Sequence, residues 1–331
     1  MIIGIIGNDQ VLVNKIKKIV DNFNISTIIL NENSTLPLGN IDLILISGGD
    51  KSILDYFHSI KNDTVPVLGV YETDSTGFLA QFNLKDLESI VPRIKKGDFY
   101  VDEVIRLAVK VDGREVVPVL NDVAVFPSRS ATLMEYNLRI NDEDIWHDSS
   151  DGIIISTPTG STAYSMSAGG PMVLQKASVF VVVSVNSVDN TRRPLIVPND
   201  SKLEVTEVMS RYHSEVILDG IQRLNVKKSL ECYKHPFPAK LIRLPHVDST
   251  AAMLAKKVKL AEELLNMPPS AKLILKTLEY EGPMSQKDLS SKTMLPERTI
   301  RLSLSHLVLK GYVRKKISLR DARNRIYELK I

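Results

Sequence analysis

The stretch that decides how this chain is read is Asp151–Pro171, DGIIISTPTGSTAYSMSAGGP. An Asp-Gly turn opens it, and Ile153, Ile154, Ile155 and Ser156 follow as a short apolar run. The run breaks into a loop where hydroxyls alternate with Pro158 and Gly160, and it closes on Gly169, Gly170 and Pro171. β-Branched residues feeding a Gly/Ser/Thr-rich loop describe a strand that delivers backbone N–H groups and hydroxyls to a polar ligand. An ordinary solvent loop has the same composition, so the rest of the chain has to decide between them.

Outward toward the N-terminus, Ile2 to Ile6 and Ile41 to Ile46 are short, β-branched and bounded by turn residues, as buried strands are. Between them Val13, Ile16, Ile19, Val20 and Phe23 recur at helical spacing within Gln10 to Phe23. Strand, helix, strand is the pattern of a parallel sheet. The second strand runs into Ser47-Gly48-Gly49-Asp50-Lys51-Ser52 and a helical pattern from Ile53 to Ile60. Ligands of open α/β sheets sit beyond such strand ends, where a Gly-Gly-Asp turn brings backbone and a carboxylate together. Val65 to Val70 is a further strand, leading to Gly77-Phe78-Leu79. From about Asp102, Val- and Ile-rich segments alternate with turns as far as Leu244, and the opening stretch lies among them. The predicted organisation is an α/β domain at 1–100, a β-rich domain at 101–248, a helical linker at 249–269 with a helix from Ser249 to Leu265, and a small domain at 270–331.

With 331 residues, 44% hydrophobic and 24% charged, the chain has globular composition and length for two or three domains. Its longest apolar runs, such as Val179 to Val183, are far short of a bilayer span. The first residues, MIIGIIGND, lack a basic region and a cleavage site, which predicts a core strand and no signal peptide. Cys232 is the single cysteine, so no intrachain disulfide forms, and a reducing cytoplasm is expected. The net charge of +3 hides an asymmetry: from Asn266 onward 14 Lys/Arg face 6 Asp/Glu, a net of +8. A basic terminal domain on an acidic body predicts a polyanionic partner for that terminus.

Four motifs fall in order: Gly48-Gly49-Asp50, Asn121-Asp122, Asp151 to Pro171, and Asp219-Gly220. Singly each is a turn former. Together on an α/β-then-β scaffold they resemble the NAD kinase family over roughly Met1 to Val247, with TPTGSTAYSMSAGGP as the specific core. The resemblance implies an NAD(H)-shaped site between the first two domains. It implies that Gly48, Gly49 and Asp50 approach the ribose, with Asp50 the base for the 2′-hydroxyl if the protein is catalytic. It implies further that Asn121 and Asp122 hold adenosine, that Asp151 meets the nicotinamide end, and that Thr162, Ala163, Tyr164 and Ser167 line the dinucleotide. A carboxylate accepting ribose hydroxyls or a proton, and a Ser/Thr-rich turn binding amide and pyrophosphate, are sound chemistry for those roles.

Three departures stand against the match. The family's Gly-Gly-Asp-Gly becomes Gly-Gly-Asp-Lys at Lys51, although Ser52 remains. A lysine blocks backbone approach to a phosphate and is strained if φ is positive, yet it also supplies a point charge for phosphate. After the third strand the family's Gly-x-Asn becomes Gly69-Val70-Tyr71, followed by Glu72 and Asp74. Val185-Asn186-Ser187 replaces Pro-His-Ser ahead of Arg193-Pro194. The dinucleotide side is intact and the donor side, marked by Lys51 and Ser52, is altered.

In the last domain Ser270 to Glu281, a helix from Ser285, and a third from Pro296-Glu297 to about Lys310 precede strands at Arg314 to Leu319 and Arg325 to Leu329. Three helices and a basic hairpin resemble a winged helix-turn-helix of the MarR type. The resemblance implies that Glu297, Arg298, Thr299, Arg301, Ser303 and Ser305 face the major groove of double-stranded DNA. Arg314, Lys315, Lys316, Arg320, Arg323 and Arg325 would then meet phosphate or minor groove. A winged-helix protein-interaction module is the alternative. The leading reading of the sequence is a transcriptional regulator whose degenerate kinase-like body senses NAD(H) or NADP(H). The alternative is an active NAD kinase using ATP or polyphosphate with Mg²⁺. A homodimer or homotetramer is expected, with no dedicated metal ligands and no membrane partner.

Overall fold

The computed structural model describes residues 1–30, 40–60, 62, 65–71, 77–129, 132–245, 255, 258–259, 262–263, 266–317 and 325–329. In the first unit, strand Ile2–Gly7 leads into helix α1, Gln10–Asp21. The Asp9 carboxylate starts that helix by accepting the Val11 and Leu12 N–H groups at 2.8 and 3.2 Å. Leu12, Val13, Ile16 and Val20 form its buried stripe. The sheet runs in the order Ser26–Ile29, Ile2–Gly7, Leu43–Ser47, Val67–Tyr71, Ala239–Arg243, Tyr100–Val104, with Phe82–Asn83 pairing on Val67–Tyr71. Pairing is parallel except between Ala239–Arg243 and Tyr100–Val104. The chain steps to one side of Ile2–Gly7 for its second strand and to the other for its third. The strand order therefore reverses between Gly7 and Ser47, where an open α/β sheet forms its crevice. Helix α2, Asp50–Ser59, starts at that point, and α3, Leu87–Lys95, packs on the same face as α1.

Two strands from the ends of the 101–248 stretch, Tyr100–Val104 and Ala239–Arg243, complete this first sheet. The next strand, Leu107–Val111, follows Tyr100–Val104 after a break at Ile105-Arg106, where the chain leaves one sheet for another. The strands between form two six-stranded antiparallel sheets packed face to face. Ile153, Ile155, Val125, Val182 and Val216 from one sheet share a core with Tyr136, Leu138, Val205, Leu230 and Cys232 from the other. Period-two alternation turns Ile154, Ala124, Val181 and Ile217 to the opposite face, where Val173, Phe126 and Tyr164 cover them. The loop after Ser156 thus lies over the outer face of its own sheet.

The last unit has its own core, built from Ala271, Ile274, Leu278, Leu289, Ile300, Leu304, Leu307, Val313 and Tyr327. Helices α4, α5, α6 and α7 complete the series at Tyr164–Ser167, Pro269–Glu281, Gln286–Thr293 and Glu297–Leu309. Strands Met284–Ser285, Arg325–Leu329 and Val313–Ile317 form a small antiparallel sheet. Ser285 caps α6 in a reciprocal box with Asp288. The predicted helix from Ser249 to Leu265 lies mostly outside the described residues, and Ala255, Val258, Lys259, Glu262 and Glu263 are helical. Among the described residues no helix is long and apolar enough to cross a membrane.

Candidate functional site

Gly48 takes φ of +146°, and a Cβ there would lie 2.1 Å from Ser52 Oγ, so only glycine makes this turn. Gly49 caps α2, and Asp50 is its first residue. The Asp50 carboxylate accepts three backbone N–H groups: Phe78 on Oδ2 at 2.8 Å, and Leu79 and Ala80 on Oδ1 at 3.0 and 2.9 Å. From the other side Arg243 Nη1 donates to Leu79 O at 3.3 Å. Asp50 thus anchors the Phe78–Ala80 loop at the point where the strand order reverses. Lys51 is exposed in the first turn of α2. It is absent from the residues with positive φ, so the strain that a lysine would suffer in a glycine conformation does not arise. Glu72 and Asp74 lie outside the described residues.

Across the crevice, Asp219 has φ of 49° and is 9% exposed. Its carboxylate accepts the N–H groups of Leu120, Asn121 and Asp122 at 2.9, 2.7 and 3.0 Å, and His58 Nε2 lies 2.8 Å from Oδ2. His58 is on α2, so this carboxylate ties the first unit to the Asn121-Asp122 turn. Arg106, fully buried, closes the same helix by donating from Nη2 to Phe57 O and Ile60 O, both at 2.6 Å. Burial lowers the Arg106 guanidinium to about 10, while Asp219 and Tyr56 oppose that shift, and it stays cationic at neutral pH. Helix α2 is therefore held at one end by Asp50 and at the other by Arg106 and Asp219.

The loop after Ser156 is stacked directly on Asn121. Thr157 N–H donates to Asn121 O at 2.9 Å, and Thr157 Oγ1 donates to Leu120 O at 2.6 Å. A Cβ on Gly160 would sit 1.9 Å from Asn121 O, so the loop approaches to a distance open to glycine alone. Thr162 is buried, Ala163 and Tyr164 are half-buried, and Ser167 is exposed. The Tyr164 ring stacks on Phe126, 5.4 Å between centroids and 22° between planes. Asp151 accepts from Asn186 Nδ2 at 2.7 Å, which joins it to one of the residues that depart from the family pattern. The buried hydroxyls of Ser47, Ser156, Thr159 and Ser165 have no hydrogen-bond partner among the described residues. Buried hydroxyls at a strand end and along a turn are what a polar ligand or bound water would satisfy. Among the described residues no group of three or more His, Cys, Asp or Glu could hold a metal.

The structure brings Gly48, Gly49 and Asp50 to the crevice, and places Asn121, Asp122, Thr162, Ala163 and Tyr164 on one wall. Asp151 starts the strand beneath that wall. Asp219 was legible as a turn motif, but its three amide bonds were not. His58, Arg106 and the Phe78–Ala80 backbone carry no sequence signal of such roles.

In the last unit Arg298, Arg301 and Ser305 are exposed on α7, Glu297 with them, and Thr299 is half-buried. Ser303 is not on that face: it is 5% exposed, with its Oγ 2.8 Å from Ser270 Oγ. Arg314 and Lys316 both pair with Glu328. Burial pushes that carboxyl up, but the two cations outweigh it and lower it overall. Lys315 and Arg325 are exposed, whereas Arg320 and Arg323 lie outside the described residues.

An open α/β sheet with a Gly-Gly-Asp turn, joined to a β-sandwich loop, is what these features define, and comparison with known proteins gives the family. The profile of the ATP-NAD kinase C-terminal domain matches residues 120–244. The NAD kinase of Methanopyrus kandleri is 34% identical over 203 residues, which are 61% of this chain and 73% of that protein. The chain belongs to the NAD kinase family. Its fold is also that of an Archaeoglobus fulgidus NAD kinase solved in complex with ATP, at TM-score 0.67 and 24% identity over 78% of this chain and 99% of that one. Yeast NADH kinase complexed with NADH has TM-score 0.66 and 19% identity over 81% of this chain and 88% of its own.

Proposed function

We propose that this protein phosphorylates the 2′-hydroxyl of NAD or NADH, the reading that the sequence alone ranks second. The observation that carries it is the conformation at Lys51. The residue that departs from the family's glycine sits unstrained in the first turn of α2, adding an ammonium to a helix N-terminus. Helix N-terminal N–H groups and a lysine together make a phosphate site. A donor phosphate, from ATP or polyphosphate, would bind there with Lys51 and Ser52. The dinucleotide would lie along Asn121, Asp122, Asp151, Thr162, Ala163, Tyr164 and Ser167, with Gly48 and Gly49 allowing close backbone approach. Asp50 would accept the 2′-hydroxyl proton at Oδ2, the oxygen that carries one amide where Oδ1 carries two. The ribose oxygen then forms a bond to the terminal phosphorus as the bond from that phosphorus to its bridging oxygen breaks. The products are NADP or NADPH and a donor shorter by one phosphate. Mg²⁺, when bound with the donor, would neutralise phosphate charge.

A second reading is favoured by the C-terminal unit, which resembles a winged helix. Its α7 would present Arg298, Thr299, Arg301 and Ser305 to double-stranded DNA, with Lys315 and Arg325 on the hairpin. Arg314 and Lys316 are partly spent on Glu328. On this reading a homodimer or homotetramer regulates transcription, with NAD(H) or NADP(H) as effector and no turnover.

The deciding experiment incubates the full chain with NAD, Mg²⁺ and ATP or polyphosphate and measures NADP. Turnover that falls at least 100-fold in Asp50→Asn supports the kinase, since general-base catalysis contributes about 10²–10⁴-fold. No NADP with either donor, together with operator binding that shifts when dinucleotide is added, supports the regulator instead.

A further inference from the structure

Tyr164 belongs to the signature loop, two residues after Thr162 and three before Ser167. Phe126, from the strand that begins at Asp122, stacks on its ring. Over the same ring lies the ammonium of Lys276, 5.2 Å from the centroid. Lys276 does not belong to the body at all. It is carried by α5, the first helix of the C-terminal unit, whose hydrophobic core is separate from that of the sheets below Tyr164. A cation over the face of an aromatic ring is held by the ring's quadrupole. The C-terminal unit therefore rests a charge on the one aromatic side chain of the loop read here as the dinucleotide wall.

We propose that Lys276 is a positioning residue of that wall, and that dinucleotide binding and the seating of the C-terminal unit strengthen each other through Tyr164. The inference rests on the wall being a dinucleotide site. Its direction follows from charge. An ammonium close to the wall favours an anionic ligand, and an anionic ligand adds to the hold that the ring already has on the ammonium. Linkage makes the effect reciprocal: whatever Lys276 adds to dinucleotide affinity, the dinucleotide adds to the seating of α5. The route runs through a side-chain contact and not along the chain.

The test uses the full chain. Affinities for NAD and for NADP are measured by calorimetry on the wild type, Lys276→Met and Lys276→Arg, with thermal unfolding to verify that each variant is folded. In parallel, acylation of Lys276 by an amine-reactive reagent is followed by mass spectrometry with and without each dinucleotide, with exposed Lys228 as internal reference. Expected is a rise in Kd in Lys276→Met of up to about five-fold, the most that a cation–π contact of about 1 kcal/mol can pass on to the ligand. Lys276→Arg keeps the affinity to within about two-fold, because a guanidinium stacks on an aromatic face as well. Bound dinucleotide slows the acylation of Lys276 but not that of Lys228. Wild-type affinity in folded Lys276→Met, or acylation of Lys276 that is unchanged or faster with ligand, overturns the inference while leaving the dinucleotide site standing. A wild type that binds neither dinucleotide overturns the site reading itself, and this inference with it.

Discussion

The wall at Asn121-Asp122 and Thr157–Tyr164 is made of backbone resting on backbone, whereas the turn at Gly48–Ser52 ends in an exposed side chain. In the wall, one buried carboxylate serves three consecutive amides, and Gly160 touches the Asn121 carbonyl with no room for a methyl group. In the turn, Gly48 and Asp50 are fixed by sterics and by three hydrogen bonds, but the next residue, Lys51, is exposed and its φ is not positive, so its backbone does not require glycine. The departure from the family pattern at Lys51 falls where the fold is permissive, and the signature is kept where it is not. A substitution in a motif is thus weak evidence for a lost activity until the backbone at that position is known.

Three substitutions sharpen or break this contrast. Asp219→Ala has the largest effect, because it strips the partner from three buried amides and from His58. A loss of about 3–5 kcal/mol is expected, as for other buried charged partners, measured by denaturant unfolding and accompanied by loss of dinucleotide binding. A variant destabilised by less than about 1 kcal/mol would show that the amides find other acceptors. Gly160→Ala is next, at about 1–3 kcal/mol, the range for overpacking against atoms that cannot move far, and it should weaken dinucleotide binding as well. Lys51→Ala is smallest in stability, within about 0.5 kcal/mol as at other exposed positions, but it should raise the KM for the phosphate donor and leave dinucleotide affinity unchanged. Equal loss of both affinities in Lys51→Ala would erase the distinction between wall and turn.

The elements with strong apolar patterns were legible in the sequence: strands Ile2–Gly7, Gly152–Ser156 and Val179–Val185, α1, and the three helices of the last unit. The ones that escaped have identifiable reasons. Helix α3 carries Pro92 in its interior, a residue that normally ends a helical pattern. Strand Glu143–Ser150, EDIWHDSS, is mostly exposed and polar and shows no alternation to read. Strand Ser26–Ile29 lies at a sheet edge, and its four residues carry too little pattern. The candidate site was legible to the extent that it consists of unusual composition, as at Gly48-Gly49-Asp50 and the TPTGSTAYS loop. What joins those pieces was not, because Asp219, His58 and Arg106 act through contacts between residues far apart in the chain, and one Asp, one His and one Arg have no local signature.

The return of Ala239–Arg243 to the first sheet bears on how the molecule comes off the ribosome. Val67–Tyr71 and Tyr100–Val104 are both neighbours of that strand, so the N-terminal sheet stays open along one edge until residue 243 has emerged. An open edge is a template for pairing with other chains, and long-range pairing is slow. The nascent chain must therefore assemble its sandwich first, or beside an unfinished sheet. The N-terminal unit is a domain in space but not in the order of synthesis, and truncations that end before residue 239 should yield aggregates and no folded fragment.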